Sequence, residues 1–206
     1  MRVKYKAWAK PYIDQHSDLV FSQLDFSNGF FDSGNVHLEI GFGKGDFIIS
    51  LATKFPDLKF LGIEKNMTVS GIAAKKIVDS GLTNIRLYVG DIAQTFDVIP
   101  DASFNSIFLN FSDPWPKRRH TKRRLTYSDN LIQYARMLHS KGCLFVKTDK
   151  KDLYEFSLLA IKESPFQLVS TNDNYAGDDE FDAMSEYEKQ FRKNGQIIYR
   201  IVARKE

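Results

Sequence analysis

One stretch of the chain, residues 110–125, concentrates residue types that could do chemistry. It reads NFSDPWPKRRHTKRRL, in which one carboxylate, Asp113, is followed by two X-Pro steps and six Lys or Arg residues. Proline fixes φ, lacks an N–H donor and disfavours the α region for the residue before it, so we expect a stiff extended loop. A carboxylate there could orient a base or stabilise positive charge on it. The dense positive charge would suit a polyanion such as nucleic acid.

A glycine-rich turn follows the first predicted strand, Val36 to Ile40. The turn reads GFGKG over residues 41–45, and a helical pattern begins at Asp46. Glycine adopts positive φ easily and lets a ligand approach the backbone closely. Strand, glycine turn and helix therefore predict the first unit of a nucleotide-binding α/β fold, with the cofactor at Gly41, Gly43 and Gly45.

Two acids stand at the ends of the next predicted strands. Glu64 follows the apolar run Lys59 to Ile63, and in nucleotide-binding α/β folds an acid at this point accepts the ribose hydroxyls. The alternative is that Glu64 only caps the following helix. Asp91 follows the third strand, and its position suits a hydrogen bond to an adenine amine as well as a plain helix N-cap.

The charges around the glycine turn discriminate between cofactors. A dinucleotide fingerprint needs Gly or Ala where this chain has Asp46, and a carboxylate at a helix N-terminus would repel a pyrophosphate. Glu39, two residues before the first glycine, can accept from an ammonium or hydroxyl group. The pattern therefore favours S-adenosylmethionine, which has a cationic amino-acid end and no phosphate, over NAD.

The elements that must position these residues predict an α/β fold with seven strands. We expect residues 1–35 to form a lead-in packed on the core, and residues 36–206 to form a single domain. The predicted strands are Val36 to Ile40, Lys59 to Ile63, Ile85 to Val89, Ser106 to Phe111, Gly142 to Thr148, Phe166 to Ser170 and Gln196 to Ala203. Helices are predicted at 68–80, 130–138 and 151–164, and the acidic segment 172–191 is predicted to be a long loop with a helical turn.

The predicted strand order along the chain brings the two chemical stretches together. In open α/β sheets ligands bind beyond the carboxyl ends of the strands. The loop carrying Asp113 would therefore share a crevice with the glycine turn.

Composition limits the class of protein. The chain has 206 residues, 27% charged and 43% apolar, which fits one globular domain. A single cysteine excludes an internal disulfide, and four scattered histidines give no reason to expect a metal site. Because the N-terminus lacks a signal-peptide pattern and no apolar run approaches a membrane span, we expect a cytoplasmic protein.

Six motifs together resemble the bacterial tRNA (guanine-N7)-methyltransferase family, over nearly the whole chain. They are EIGFGKG at 39–45, GIEKN at 62–66, GD at 90–91, DPWPKRRHTKRRL at 113–125, KTD at 147–149 and SEYEKQF at 185–191. The resemblance implies a class I methyltransferase (Rossmann-like) fold with a seven-stranded, mostly parallel sheet and helices on both faces. It also implies S-adenosyl-L-methionine as methyl donor and N7 of guanosine 46, in the variable loop of tRNA, as acceptor, giving 7-methylguanosine.

The resemblance also implies roles for individual residues. The cofactor-binding acids would be Glu39, Glu64, Asp91 and Asp113, with Asp113 also catalytic. The tRNA contacts would be Lys117, Arg119, His120, Thr121, Lys122, Arg123, Arg124, Asp149, Ser185, Glu186, Tyr187 and Glu188. The last motif usually begins with Thr in the family, and Ser185 keeps the hydroxyl while it loses the methyl group.

Several alternatives remain open at the level of sequence. A non-enzymatic RNA-binding module would keep the basic run but has no use for Glu39 and Glu64 at cofactor spacing. An NAD-dependent oxidoreductase would use the glycine turn but not Asp46 or a polybasic loop. Trp115 is expected to pack in the core rather than stack on a base. With tRNA as partner, we expect a monomer or a homodimer.

Overall fold

A computed structural model describes residues 4–32, 34–177 and 179–206, and its centre is an eight-stranded sheet in the order β1-β4-β3-β2-β5-β6-β8-β7. The strands are β1 (Val20–Phe21), β2 (Val36–Ile40), β3 (Lys59–Glu64), β4 (Ile85–Val89), β5 (Phe104–Asn110), β6 (Leu138–Thr148), β7 (Phe166–Asn172) and β8 (Tyr199–Lys205). The helices are α1 (Ala9–Asp14), α2 (Asp46–Lys54), α3 (Met67–Ser80), α4 (Ser128–Met137), α5 (Lys151–Lys162) and α6 (Glu186–Lys193). In that order, every pair of neighbouring strands between β1 and β6 is parallel, whereas β8 is antiparallel to both of its neighbours, β6 and β7.

Apolar side chains alternate between the two faces of the central strands. On β3, Leu61 and Ile63 pack with Leu131 and Tyr134 of α4, whereas Phe60 packs on the other face with residues of α2 and α3. A strand buried on both faces is typical of a parallel sheet that helices cover on each side. The sheet therefore has a separate apolar layer on each face, as a doubly wound α/β fold requires.

The strand register aligns the ends of the parallel strands. Ile40 lies opposite Ile63, Glu64 lies opposite Val89, and Asn110 lies opposite Lys147. Because these strands run in the same direction, the segments that follow β2 to β6 emerge at one edge of the sheet. The two chemical stretches of the sequence therefore meet at that edge.

All seven predicted strands are present, and the eighth comes from within the predicted lead-in. Strand β1 has only two residues, with Val20 opposite Leu87 and Phe21 opposite Tyr88 of β4. Two residues are too few to give an alternating pattern that could be recognised in the sequence. Helix α1 packs on α3, where Ala9 lies against Gly71 so closely that a Cβ at Gly71 would meet the Ala9 Cβ at 2.5 Å.

The prediction for the acidic segment was wrong in extent, because its last part forms the two-turn helix α6. The only buried residue of α6 is a carboxylate, Glu188. The apolar side of the helix is limited to Tyr187 and Phe191, whose rings stack one turn apart at 6.2 Å, and two aromatic residues are too few to mark an amphipathic helix in the sequence. Within the described ranges, no helix has the length and apolar character needed to cross a membrane.

Candidate active site

A cleft of about 700 Å³ lies at the carboxyl edge of the sheet, lined by the segments that follow β2 to β6 and by the start of α6. Eleven of the predicted site residues line it: Glu39, Gly41, Gly43, Glu64, Asp91, Asp113, Arg123, Asp149, Ser185, Glu186 and Tyr187. Residues separated by up to 148 positions in sequence thus form one concave surface. The remaining predicted residues lie outside its lining.

Two buried side chains form the floor of the cleft. Glu39 is 3% exposed, and its Oε1 accepts a 3.0 Å hydrogen bond from the side-chain amide of Asn110. Among the described residues, neither Glu39 Oε2 nor Asn110 Oδ1 has a hydrogen-bond partner. Because buried acceptors are costly when unpaired, the pair suits a ligand that donates at least two hydrogen bonds. Asn110 was not among the predicted site residues.

Burial raises the pKa of Glu39 to about 7. The hydrogen bond from Asn110 and the charge of Lys147 both act in the opposite direction. A cationic ligand beside this carboxylate would favour its charged form. The floor of the cleft is therefore better suited to an ammonium group than to a phosphate.

The glycine turn brings backbone close to Glu64. Gly41 and Gly43 have φ values of 81° and 55°, with nothing within 4 Å of the position of a Cβ. The backbone N–H of Gly43 donates to Glu64 Oε2 at 3.3 Å, and that of Asn66 donates to Oε1 at 2.8 Å. The side chain of Asn66 caps α3, so the alternative in which Glu64 is only a helix cap is wrong.

Gly45 lies outside the lining of the cleft and has a different environment. Its φ is 83°, and a Cβ there would meet the Ala73 Cβ of α3 at 2.9 Å. The structure therefore differs from the predicted cofactor contact: Gly45 permits close packing between the N-terminus of α2 and α3. The same N-terminus carries Asp46, which forms a 2.8 Å ion pair with Lys76 and places a carboxylate where a pyrophosphate would bind.

Asp91 has the N-cap role that the sequence left open, and its position is compatible with the other, a hydrogen bond to an adenine amine. It is exposed, lines the cleft, and accepts a 3.1 Å hydrogen bond from the backbone N–H of Ala93 as the N-cap of a short 3-10 helix. One of its oxygens is thus engaged in capping. The geometry leaves the other available to a ligand.

The loop after β5 holds Asp113 between two residues with unusual backbone. Phe111 and Trp115 have φ values of 52° and 41°, and Asp113 is exposed at the cleft. Positive φ in large aromatic residues is sparsely populated and persists only where surrounding contacts enforce it. The Arg124 guanidinium supplies such contacts, donating from Nε to the Pro114 carbonyl at 3.0 Å and from NH2 to the Trp115 carbonyl at 3.3 Å.

Trp115 is half-buried in the wall of the cleft, so the expectation that it packs in the core was wrong. The Arg123 guanidinium lies 5.0 Å from the centroid of its ring, and His120 meets it edge-on at 5.6 Å. The indole is therefore held on the basic loop by cation–π and aromatic contacts.

The basic run forms a 3-10 helix, Arg118–Arg123, that contains no buried residue. Five of its cations are exposed, and within the described part of the chain none of them pairs with a carboxylate: Lys117, Arg118, Arg119, Lys122 and Arg123. His120 and Thr121 are half-buried on the same turn. Arg124 differs from the rest, because it braces the loop and lies over the Phe156 ring at 4.4 Å.

Helix α6 supplies one wall of the cleft. Ser185 is its N-cap and accepts from the Glu188 N–H at 3.1 Å, while Glu186 forms a 2.8 Å ion pair with Lys44 of the glycine turn. Tyr187 is 38% exposed. Asp149, which directly follows β6, also lines the cleft. Its side chain is only 6% exposed and forms an ion pair with Lys150 at 2.5 Å.

Glu188 lies where the structure differs from the predicted RNA contact. Its side chain is fully buried, with Oε2 accepting from Lys147 at 2.7 Å and Oε1 from Arg192 at 2.6 Å. Both carboxylate oxygens are therefore engaged within the protein.

Comparison with known proteins agrees with this geometry. Residues 33–201 match a family model described as "Putative methyltransferase". A tRNA (guanine-N(7)-)-methyltransferase of Limosilactobacillus reuteri (strain DSM 20016) is 39% identical, covering 98% of this chain and 99% of that protein. Proteins of the same name from Staphylococcus haemolyticus and Streptococcus mutans are each 37% identical, covering 99% of this chain and 98% and 100% of their own length.

Solved structures show the fold independently of sequence. An antibiotic-related methyltransferase superposes with a TM-score of 0.66 at 19% identity, covering 88% of this chain and 95% of its own. The 16S rRNA methyltransferase KamB superposes with a TM-score of 0.65 at 12% identity, covering 91% and 98%. The fold is thus that of class I methyltransferases, and the sequence relatives are more specific: this chain belongs to the tRNA (guanine-N(7)-)-methyltransferase family.

Proposed function

We propose that this protein transfers a methyl group from S-adenosyl-L-methionine to N7 of guanosine 46 in the variable loop of tRNA. One observation carries the proposal: Glu39 and Asn110, each with a buried acceptor that has no partner among the described residues, line the same cleft as Asp113, and exposed cations that form no described ion pair follow Asp113 in the chain. A cationic small ligand and a polyanion would therefore meet at one place. The relatives' name adds the acceptor atom and the class of RNA.

The donor would be held by the acidic side of the cleft. Glu39 and Asn110 suit its ammonium group, Glu64 its ribose hydroxyls, and Asp91 its adenine amine. Open space beside Gly41 and Gly43 lets the ligand approach the backbone. When bound, this cofactor supplies a methyl group on a positively charged sulfur.

The base would be oriented by Asp113, with Asp149 nearby in the lining. Guanine N7 has an in-plane lone pair and no proton, so its attack needs no general base. Catalysis is then mostly alignment and electrostatic stabilisation. Asp113 is proposed to accept from the guanine N–H groups and to stabilise the positive charge that methylation spreads over the purine.

The phosphates would be bound by the exposed cations beside Asp113. Arg119, Lys122 and Arg123, with His120 and Thr121, offer donors on the 3-10 helix, and Lys117 offers another immediately before it. Arg124 instead holds the loop in shape, and Ser185, Glu186 and Tyr187 complete the substrate side of the cleft.

The decisive experiment measures radiolabelled methyl transfer to unmodified tRNA transcripts, with and without guanosine 46 replaced by adenosine. Label should appear in the first transcript, at N7 of guanosine, and be absent from the second. Continued incorporation after the replacement would contradict the proposed position. A parallel titration should show binding of S-adenosylmethionine and none of NAD; the reverse result would favour an oxidoreductase.

Two further expectations from the sequence remain proposals. A tRNA-modifying enzyme of this kind would work in the cytoplasm, where its substrate is found. Sedimentation of the purified protein should give a monomer or a homodimer, and a larger assembly would contradict that expectation.

A further inference from the structure

A long segment between β7 and β8 folds back across the end of the sheet. We call its residues from 179 to 193 the strap; it contains α6, and through Ser185, Glu186 and Tyr187 it forms one wall of the cleft. The strap is rich in charge and carries few apolar residues. Hydrophobic burial alone therefore gives it little to hold it in place.

One apolar contact fixes the beginning of the strap. The Phe181 ring lies 5.0 to 6.3 Å from the rings of His37, Phe55, Phe108 and Phe145. Asp179 adds a 2.7 Å ion pair with Arg200 of β8. Both contacts precede α6, so they do not by themselves fix the helix.

Lys147, the residue before Thr148 at the end of β6, supplies a buried contact from a strand to the strap on both sides of the start of α6. Its side chain is 2% exposed, and Nζ donates to Asp182 Oδ1 at 2.8 Å, to the Ala183 carbonyl at 2.8 Å and to Glu188 Oε2 at 2.7 Å. All three ammonium donors are therefore used on the strap. Asp182 and Glu188 are themselves 6% and 0% exposed, and Arg192 neutralises the other oxygen of Glu188.

A buried ammonium requires a compensating partner, and apolar residues of similar size often stabilise a fold as well or better. What an ion pair with three directed hydrogen bonds adds is a defined position. Here it joins the central sheet to α6 on both sides of the helix start, through Asp182 before it and Glu188 within it. Two other contacts reach α6 at this edge, the Phe191 ring 5.5 Å from that of Phe111 and the 2.8 Å ion pair of Glu186 with Lys44, and both come from loops rather than from a strand.

We propose that Lys147 is a positioning residue, which holds the strap on the sheet so that Ser185, Glu186 and Tyr187 form the substrate wall of the cleft. The inference rests on the proposed function for the identity of the substrate, and on geometry alone for the anchoring. Loss of the ammonium would leave two carboxylates buried together, and their repulsion would release α6.

Trypsin measures the release directly, because Lys189 and Lys193 are exposed on α6. In Lys147→Met, cleavage within α6 should be about tenfold faster than in the wild type, since proteolysis follows the population of the open state. Asp182→Asn and Glu188→Gln keep the shapes of the side chains, remove one charge each, and should show smaller increases. Lys75→Met makes the same change at an exposed ion pair with Asp79 and should cleave like the wild type.

Kinetics on tRNA separate positioning from general loss of structure. Lys147→Met should raise KM for tRNA by about tenfold and change kcat much less, because the wall binds substrate without taking part in the reaction. Cleavage of Lys147→Met throughout the sheet would mean that this variant has lost its fold. The milder variants Asp182→Asn and Glu188→Gln then test whether the ion pairs position α6. Cleavage of α6 at the wild-type rate in both, or faster cleavage with unchanged KM, would overturn the inference. The cleavage assay needs no methyl transfer, so failure of the proposed function would be seen separately.

Discussion

The side-chain amide of Asn110, the last residue of β5, donates a 3.0 Å hydrogen bond to Oε1 of Glu39 on the neighbouring strand β2. The bond leaves one buried acceptor on each side chain without a partner among the described residues, and both residues line the cleft. The bond therefore fixes the orientation of the Glu39 carboxylate and places the Asn110 amide oxygen close to it. Two acceptors in a buried floor favour a ligand rich in donors.

Replacing Asn110 by Ala should weaken binding of S-adenosylhomocysteine by about tenfold, because one hydrogen bond to a charged group contributes about 1.5 kcal/mol. Isothermal titration calorimetry would measure the change. Asn84, whose side-chain amide donates to three backbone carbonyls at the other end of the sheet, offers a matched control. Equal weakening by Asn84→Ala would point to a general loss of stability.

The raised pKa of Glu39 gives stability a definite dependence on pH. Between about 4.5 and 7 the folded protein keeps this proton while the unfolded chain has lost it, so the native state binds more protons. Stability without ligand should therefore fall as pH rises through this window, by up to about 3 kcal/mol. Urea unfolding at pH 5 and pH 8 would measure it, and Glu39→Gln should remove most of the difference. If the stability of the wild type rises with pH between 4.5 and 7, and that of Glu39→Gln rises equally, the assignment of a raised pKa to Glu39 is wrong.

The same group should make cofactor affinity depend on pH in the opposite sense. A cationic ligand prefers the charged carboxylate, so S-adenosylhomocysteine should bind more tightly at pH 8 than at pH 6. Binding near pH 6 should therefore release protons, which calorimetry in buffers of different ionisation enthalpy would detect. In Glu39→Gln the affinity should be low and nearly constant over this range. A constant affinity in the wild type would mean that Glu39 is not beside the ammonium group.

Asp113→Asn should reduce kcat by about 10² to 10³, the usual cost of losing one preorganised electrostatic partner. Because N7 carries no proton, the pH profile of the remaining activity should keep its shape. Single-turnover methyl transfer with saturating tRNA would measure both quantities. Near-normal turnover by the variant would contradict the proposed role.

The cations of the loop should divide into two classes when they are removed. Lys122→Ala takes away an exposed charge and should lower the slope of log K for tRNA against log salt by about 1, without changing Tm. Arg124→Ala removes the brace on the loop and should lower Tm by a few degrees, for a loss of about 1 to 2 kcal/mol. Filter binding at several salt concentrations and thermal unfolding would distinguish them; identical behaviour would contradict the division.

Gly45 and Gly81 provide a matched pair for backbone and packing effects. Both have positive φ, but a Cβ at Gly45 would meet Ala73 at 2.9 Å, whereas nothing lies within 4 Å of one at Gly81. Gly81→Ala should cost about 1 kcal/mol, and Gly45→Ala should cost about 1 to 3 kcal/mol more. Chemical unfolding would test the difference, and equal costs would show that α2 can move away from α3.

The sequence predicted the sheet well where apolar runs are bounded by polar residues. β2 and β4 have the predicted bounds, because each run ends at a glycine or an acid on a turn. β6 begins earlier than predicted, because the chain passes from the end of α4 at Met137 directly into the strand at Leu138 with no helix-breaking residue between them. β1 was missed because it is short, and pairing with β4 rather than local pattern makes it a strand.

The site was predictable as far as single residues carry distinctive chemistry. Glycines and acids at the ends of strands can be recognised in the sequence from their residue type and spacing, and most of them line the cleft. Asn110 could be found only from strand order, because its role depends on Glu39 lying on the adjacent strand. Glu188 and Gly45 are of residue types that suit a binding site, so the sequence placed them there. Their contacts with Lys147 and Ala73, which are distant in sequence, cannot be predicted from a local pattern.

The hydrogen bonds from Arg124 to the carbonyls of Pro114 and Trp115 close residues 114–124 into a ring. A ring has a fixed circumference, so inserting or deleting one residue would break the closure and move both Asp113 and the cations. During evolution, this loop should therefore tolerate substitution on its exposed cations far more readily than any change in its length.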